Sequence, residues 1–129
     1  MWLGCVIVGA LWGATNPILK QNTNDVTHIK CDGAVAQFLA EMRYTFTNIG
    51  FIVPFALNQL GSLLFVKLLG EAPLSIAVPA CNALTFVFTA GVGWMLGERS
   101  KRPARVAAGI GLVLAGLTMC VHSKTSAAS

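Results

Sequence analysis

A chain of 129 residues that is 55% hydrophobic and 11% charged cannot cover itself with polar surface, since soluble domains carry roughly 25% charged residues. Its mean hydropathy is +0.69, and its apolar residues gather in four blocks that use up most of the length, which excludes a separate soluble domain. The formal charge of +4 does not point to nucleic acid, because the basic residues flank the ends of apolar blocks without interleaved aromatics.

About 20 apolar residues in a row cross a hydrocarbon core about 30 Å thick. The blocks therefore predict an all-α, integral membrane four-helix bundle, a single membrane domain over residues 1–129 with spans near 2–19, 50–69, 74–96 and 104–121. The first block, Trp2 to Leu19, stops at Lys20-Gln21-Asn22 and carries Pro17 in its last turn, where a lost hydrogen bond costs least. It reads as a retained span: cleavage after Ala14 would put bulky Trp12 where a signal peptide wants a small residue.

Gln21 to Gly33 reads as a loop. Val35, Phe38, Leu39, Met42 and Phe46 then follow the spacing of one helix face, which predicts an interfacial helix over 34–48 that leads into the second span. That span carries Pro54 and Asn58-Gln59 and ends at a tight turn, Gly70-Glu71-Ala72-Pro73. The third span carries Pro79 and Asn82 and ends at Gly97-Glu98, ahead of a basic loop of Arg99, Lys101 and Arg102 closed by Pro103. After the fourth span the tail from His122 to Ser129 is small and polar, the composition of a mobile end.

Four crossings put both termini on one side. Lys20, Lys30, Arg43, Arg99, Lys101, Arg102 and Arg105 fall on the side of loops one and three, against Lys67 and Lys124 on the other. The positive-inside rule then predicts cytoplasmic loops one and three and lumenal or outer termini. Lys67, one turn from its span end, is expected to extend its ammonium to the interface.

No catalytic constellation is present. Asp25, Asp32, Glu41, Glu71 and Glu98 all fall in loops or at helix ends, and no Ser/His/Asp or Cys/His grouping has useful spacing, so an enzyme and a cofactor are not expected. His28, Cys31 and Asp32 are neighbours by chance in a polar loop rather than a metal site. Cys5, Cys31, Cys81 and Cys120 lack CxxC spacing and imply no disulfide framework.

Polar residues at membrane depth are more telling, because an unsatisfied amide in hydrocarbon costs several kcal/mol. Asn16, Asn58, Gln59 and Asn82 are therefore expected to face the bundle interior, either converging on a cavity for a neutral or zwitterionic solute or bonding one another across helices. Small residues supply the packing signal: Gly9 with Gly13, and Gly93 with Gly97, have GxxxG spacing, while Ala107, Gly111 and Ala115 form a stripe on span four. Gly109 and Gly116 lie a heptad apart and share a face suited to a homodimer or to partner membrane helices; packing within the chain would use the same residues.

Certain segments resemble a known family. Leu11-Trp12-Gly13-Ala14-Thr15 with Pro17 to Lys20, Asn58 to Leu64, Ala77-Val78-Pro79 with Cys81-Asn82, and Leu96-Gly97-Glu98 are similar to the transmembrane protein 234 family, over most of the chain. The resemblance implies a small multi-pass protein of undefined substrate grouped with the drug/metabolite transporter superfamily. The Glu71-Ala72-Pro73 turn, the proline-bearing third span and the Gly109 to Gly116 spacing also resemble the small multidrug resistance layout. In that family a first-helix glutamate binds proton and cationic drug and the fourth helix dimerises. Counting back from Lys20, Trp12 takes the glutamate's place, and the first loop is longer. Proton-coupled cation export is not expected, because a counter-ion within the membrane is missing.

Two functions follow as expectations. One is a transporter-like bundle that moves a small polar solute or lipid head group past Asn16, Asn58, Gln59 and Asn82, with bends at Pro54 and Pro79. The other is an accessory or scaffold membrane protein acting through helix–helix contacts.

Overall fold

Each apolar block becomes one long helix, because backbone groups in lipid have no water to bond and must satisfy one another within the segment. The computed structural model describes residues 1–127, apart from the side chains of Lys124 and Ala127, and the described residues contain helices and no strand. In chain order these are α1 (Trp2–Thr23), a short 3-10 turn (Asn24–His28), α2 (Ala34–Thr47), α3 (Ile49–Glu71), α4 (Leu74–Met95) and α5 (Pro103–Ala127). Four of the helices, α1, α3, α4 and α5, are long and apolar enough to cross a membrane.

Several ends fall beyond the apolar blocks. The first helix runs on to Thr23 because polar side chains there bond its last carbonyls: Asn22 Nδ2 donates to the Ile18 carbonyl at 2.9 Å and Thr23 Oγ1 to those of Leu19 and Lys20 at 3.0 Å. The tail expected to be mobile is instead helical to Ala127, and Thr125 Oγ1 bonds back to the Val121 carbonyl at 2.9 Å. Residues 128 and 129 of that tail, and the Lys124 side chain counted in the charge bias, lie outside the described residues.

Between α2 and α3 the chain breaks at Asn48, whose ψ of 106° is extended. Its side chain caps α3 by accepting from the Gly50 N–H at 2.9 Å, and its Nδ2 reaches the Asn22 carbonyl at 3.4 Å, which ties the start of α3 to the end of α1. Loop one is folded back by Gln37, which accepts from the Cys31 N–H at 2.8 Å and donates to the Ile29 carbonyl at 2.6 Å. Val35, Phe38, Leu39, Met42 and Phe46 all remain exposed on α2.

The bundle is built around α1, which packs against α4 on one flank and α3 on the other, while α3 and α4 barely meet. Lipid tails are as apolar as leucine, so close backbone approach has to drive this packing. Small residues provide it. A Cβ on Gly9 would come within 2.6 Å of Leu84 Cβ, and one on Gly13 would collide with Phe88 Cβ and meet the Thr85 carbonyl oxygen at 2.6 Å. The buried core is correspondingly small-bodied: Cys5, Val8, Ala80 and Cys81, closed by Leu68.

Helix α5 stands apart. It touches α4, its Leu117 packs onto that core, and none of the residues of its span is buried.

Candidate functional site

The polar residues that α1 and α3 bring together form one hydrogen-bonded cluster. Trp12 packs against Gly61, where a Cβ would sit 2.9 Å from its indole. From there its Nε1–H is 3.2 Å from both the Asn58 carbonyl oxygen and Ser62 Oγ. Its ring meets Phe65 at a centroid distance of 5.0 Å and an interplanar angle of 57°, within the range where aromatic pairs attract. One turn along, Asn58 Nδ2 donates to Thr15 Oγ1 at 2.8 Å and Asn16 Oδ1 at 3.4 Å. Thr15, buried, passes its own hydrogen to the Leu11 carbonyl at 2.6 Å. The two helices are thus joined by hydrogen bonds that Trp12 and Asn58 make across the interface.

The four amides do not converge. Asn58 is half-buried and meets Asn16, but Asn16, Gln59 and Asn82 are exposed on the outside of the single chain. The expectation that all four face the interior is corrected in this respect. Buried Asn58 neighbours such as Gly61 set the α1-facing side of α3, and Gln59 falls about 100° round the helix from Asn58. Asn82 is likewise flanked by buried Cys81 and Ala83 yet points away from both. Neither cavity described below includes an amide of this set.

The glycines divide by role. Gly9 and Gly13 form the α1–α4 contact. Gly93 is buried, with Glu98 and Pro17 within 4.0 Å of a built Cβ. Gly97 is not part of a packing pair: it lies past the end of α4 with φ +85° and open space around it. There it lets the Glu98 N–H turn back to the Gly93 carbonyl at 2.9 Å, a left-handed helix cap in which glycine alone avoids strain. Gly109 and Gly116 face open space.

A feature the sequence reading missed is a groove of about 860 Å³ between α4 and α5. Its mouth is polar, with Lys20, Glu98, Arg99 and Ser100, and its walls are apolar, including Phe86 on α4 and Val106, Ile110 and Val113 on α5. Lys20 Nζ and Glu98 Oε1 form an ion pair at 2.6 Å across the mouth. Thr89 also lines the groove, and its buried Oγ1 has no hydrogen-bond partner among the described residues. A second, smaller cavity of about 140 Å³ lies on the other side of Glu98, beside Pro17, Gln21 and Asn24.

No three His, Cys, Asp or Glu side chains come together among the described residues; His28, Cys31 and Asp32 are each exposed.

Residues 5–121 match the model of the family described as "Putative transmembrane family 234". The chain is similar to a transmembrane protein 234 homolog of Dictyostelium discoideum, 36% identical over 122 residues that cover 95% of this chain and 94% of that protein. It is also similar to a transmembrane protein 234 homolog of Anopheles gambiae, 37% identical over 118 residues, 92% of this chain and 84% of that protein. No solved structure matches it.

Proposed function

We propose, from the premise that this chain belongs to transmembrane family 234, that it is a non-enzymatic, transporter-like membrane protein working as a pair of copies, with a polar path for a small solute or lipid head group between them. The observation that carries this reading is the exposure of Gln59 and Asn82. Each sits near the middle of its helix, at least about 12 Å from either end by the helical rise. An amide left against acyl chains at that depth costs several kcal/mol. A second copy, with water or solute between the two faces, removes the cost.

The reading sets the family beside the drug/metabolite transporters, supported by four spans, the tight α3–α4 turn and Pro79 in α4. No carboxylate occupies the interior of a span, since Glu71 and Glu98 lie at helix ends and Asp25, Asp32 and Glu41 in loop one or α2. A neutral or zwitterionic solute therefore suits the path better than a cation. On the same reading loops one and three face the cytoplasm and α2 lies in the interface with its exposed apolar face in lipid.

A second reading is favoured by a different observation. Asn58 is committed to Thr15 and Asn16, as expected of an accessory protein whose amides only hold helices together. Single-molecule photobleaching in liposomes, combined with uptake from a mixed pool of small metabolites, separates the two. Two copies, with flux lost in Gln59→Leu/Asn82→Leu, support the first reading. Two copies without flux support the accessory reading, and single copies of the wild type sink the pairing.

A further inference from the structure

We propose that the groove between α4 and α5 is a lateral binding site for an anionic phospholipid of the surrounding bilayer, one acyl chain lying in the groove and the phosphate at its mouth. The inference is independent of transport and of pairing.

Three observations converge on this occupant. The first is charge. Glu98 at the mouth is engaged by Lys20 at 2.6 Å, so the Arg99 guanidinium is left to give the mouth its positive sign, beside Ser100. Lys101, Arg102 and Arg105 follow directly in sequence, and the first turn of α5 holds no acidic residue to oppose its positive helix end. Basic residues at this level attract anionic head groups.

Depth is the second. The groove runs from Pro103, the first residue of α5, to Val113, which is about 15 Å along the helix axis. That is one leaflet, half of a hydrocarbon core about 30 Å thick. A groove for a soluble ligand has no reason to stop at the midplane, whereas an acyl chain entering from one leaflet does. Phe86, Val106, Ile110 and Val113 give it apolar walls along this length.

The third is Thr89. Threonines elsewhere on the spans, Thr15, Thr85 and Thr118, donate to a carbonyl of their own helix, but Thr89 Oγ1 is buried in the groove wall without a partner. It lies six residues from the end of α4, about 9 Å below the mouth. The oxygen itself is turned away from the open groove, and a rotation about the Cα–Cβ bond would bring the hydroxyl to the groove surface, at the level of the glycerol ester carbonyls of a bound lipid.

The test offers the full-length chain, purified in mild detergent, equal amounts of phosphatidylserine and phosphatidylcholine with identical acyl chains, and reads retention by native mass spectrometry. Phosphatidylserine is expected to be retained preferentially, and Arg99→Gln to reduce that preference about fivefold, the weight of one basic residue at an anionic surface. Ile110→Trp, which fills the groove and keeps the charges, is expected to lower retention of both lipids. Val113→Trp repeats the test deeper in the groove, and both variants are compared at wild-type helicity by circular dichroism. Thr89→Val, which keeps the shape and drops the hydroxyl, is expected to weaken retention about threefold, the worth of one neutral hydrogen bond. Equal retention of the two lipids overturns the proposal, as does unchanged retention in the two tryptophan variants. So does an Ile110→Trp protein that loses a dimer while keeping its lipid, which would seat a second copy in the groove.

Discussion

At Gly13 the neighbouring helix is already in place: a Cβ there would collide with Phe88 Cβ and press on the Thr85 carbonyl oxygen, a backbone atom that cannot swing away. Gly13→Ala is therefore expected to lower stability by about 1–3 kcal/mol, the usual cost of overpacking. Gly116, with nothing within 4 Å, is the control: Gly116→Ala is expected to leave stability unchanged or raise it by up to about 1 kcal/mol, because glycine is a poor helix residue. Thermal unfolding in detergent, followed by the fluorescence of Trp12 and its fellow indoles, measures both. The same contrast shows how far single residues could be read beforehand. Spacing alone marks Gly9 and Gly13 as a close-approach pair, and they are one; the identical spacing at Gly93 and Gly97 straddles a helix end, so Gly97 serves as a cap instead. Thr15 and Ser62 belong to the segments that resemble the family, but nothing in their spacing marks them as partners, because small hydroxyls are common in apolar helices. Only the rotation of α1 against α3 turns them into partners of Asn58 and Trp12.

Helices and their junctions carry the next level. Asn48 ends one helix and begins another, accepts from the Gly50 N–H and holds the Asn22 carbonyl. Asn48→Ala is expected to cost about 1 kcal/mol as a lost N-cap, and faster amide hydrogen exchange confined to the first turn of α3 would report it. Unchanged exchange there would mean that lipid, rather than the cap, fixes the boundary. Hydropathy marks where the four long helices lie, because about twenty greasy residues have one stable home. It marks the ends less well, since the polar side chains at Asn22, Thr23 and Thr125 extend helices past the apolar blocks by bonding carbonyls there. The α4–α5 groove had no sequence signal at all. It exists because α5 leans on the core at Leu117 and stands off near Val106 and Ile110, and the tilt of one helix against another is settled by tertiary contacts.

Across the whole molecule, charge and packing are both lopsided. Basic residues crowd the end that bears the Lys20–Glu98 pair, which predicts that end to be cytoplasmic. A Ser100→Cys protein in which Cys31 and Cys120 are replaced by serine should react with an impermeant maleimide only when the cytoplasmic face is open to the reagent, and labelling from the opposite face of sealed cells or organelles would reverse the orientation. The packing is centred on α1, whose principal partner α4 ends about seventy residues later in the chain. At synthesis rates of roughly 5–20 residues per second, α1 waits about 4–14 s for that neighbour to emerge from the ribosome. During this interval the bare ridge of Gly9 and Gly13 is uncovered, whereas Thr15 and Asn16 wait only for Asn58 of α3, which is made earlier. The glycine ridge of α1 thus meets its surroundings for seconds before α4 covers it.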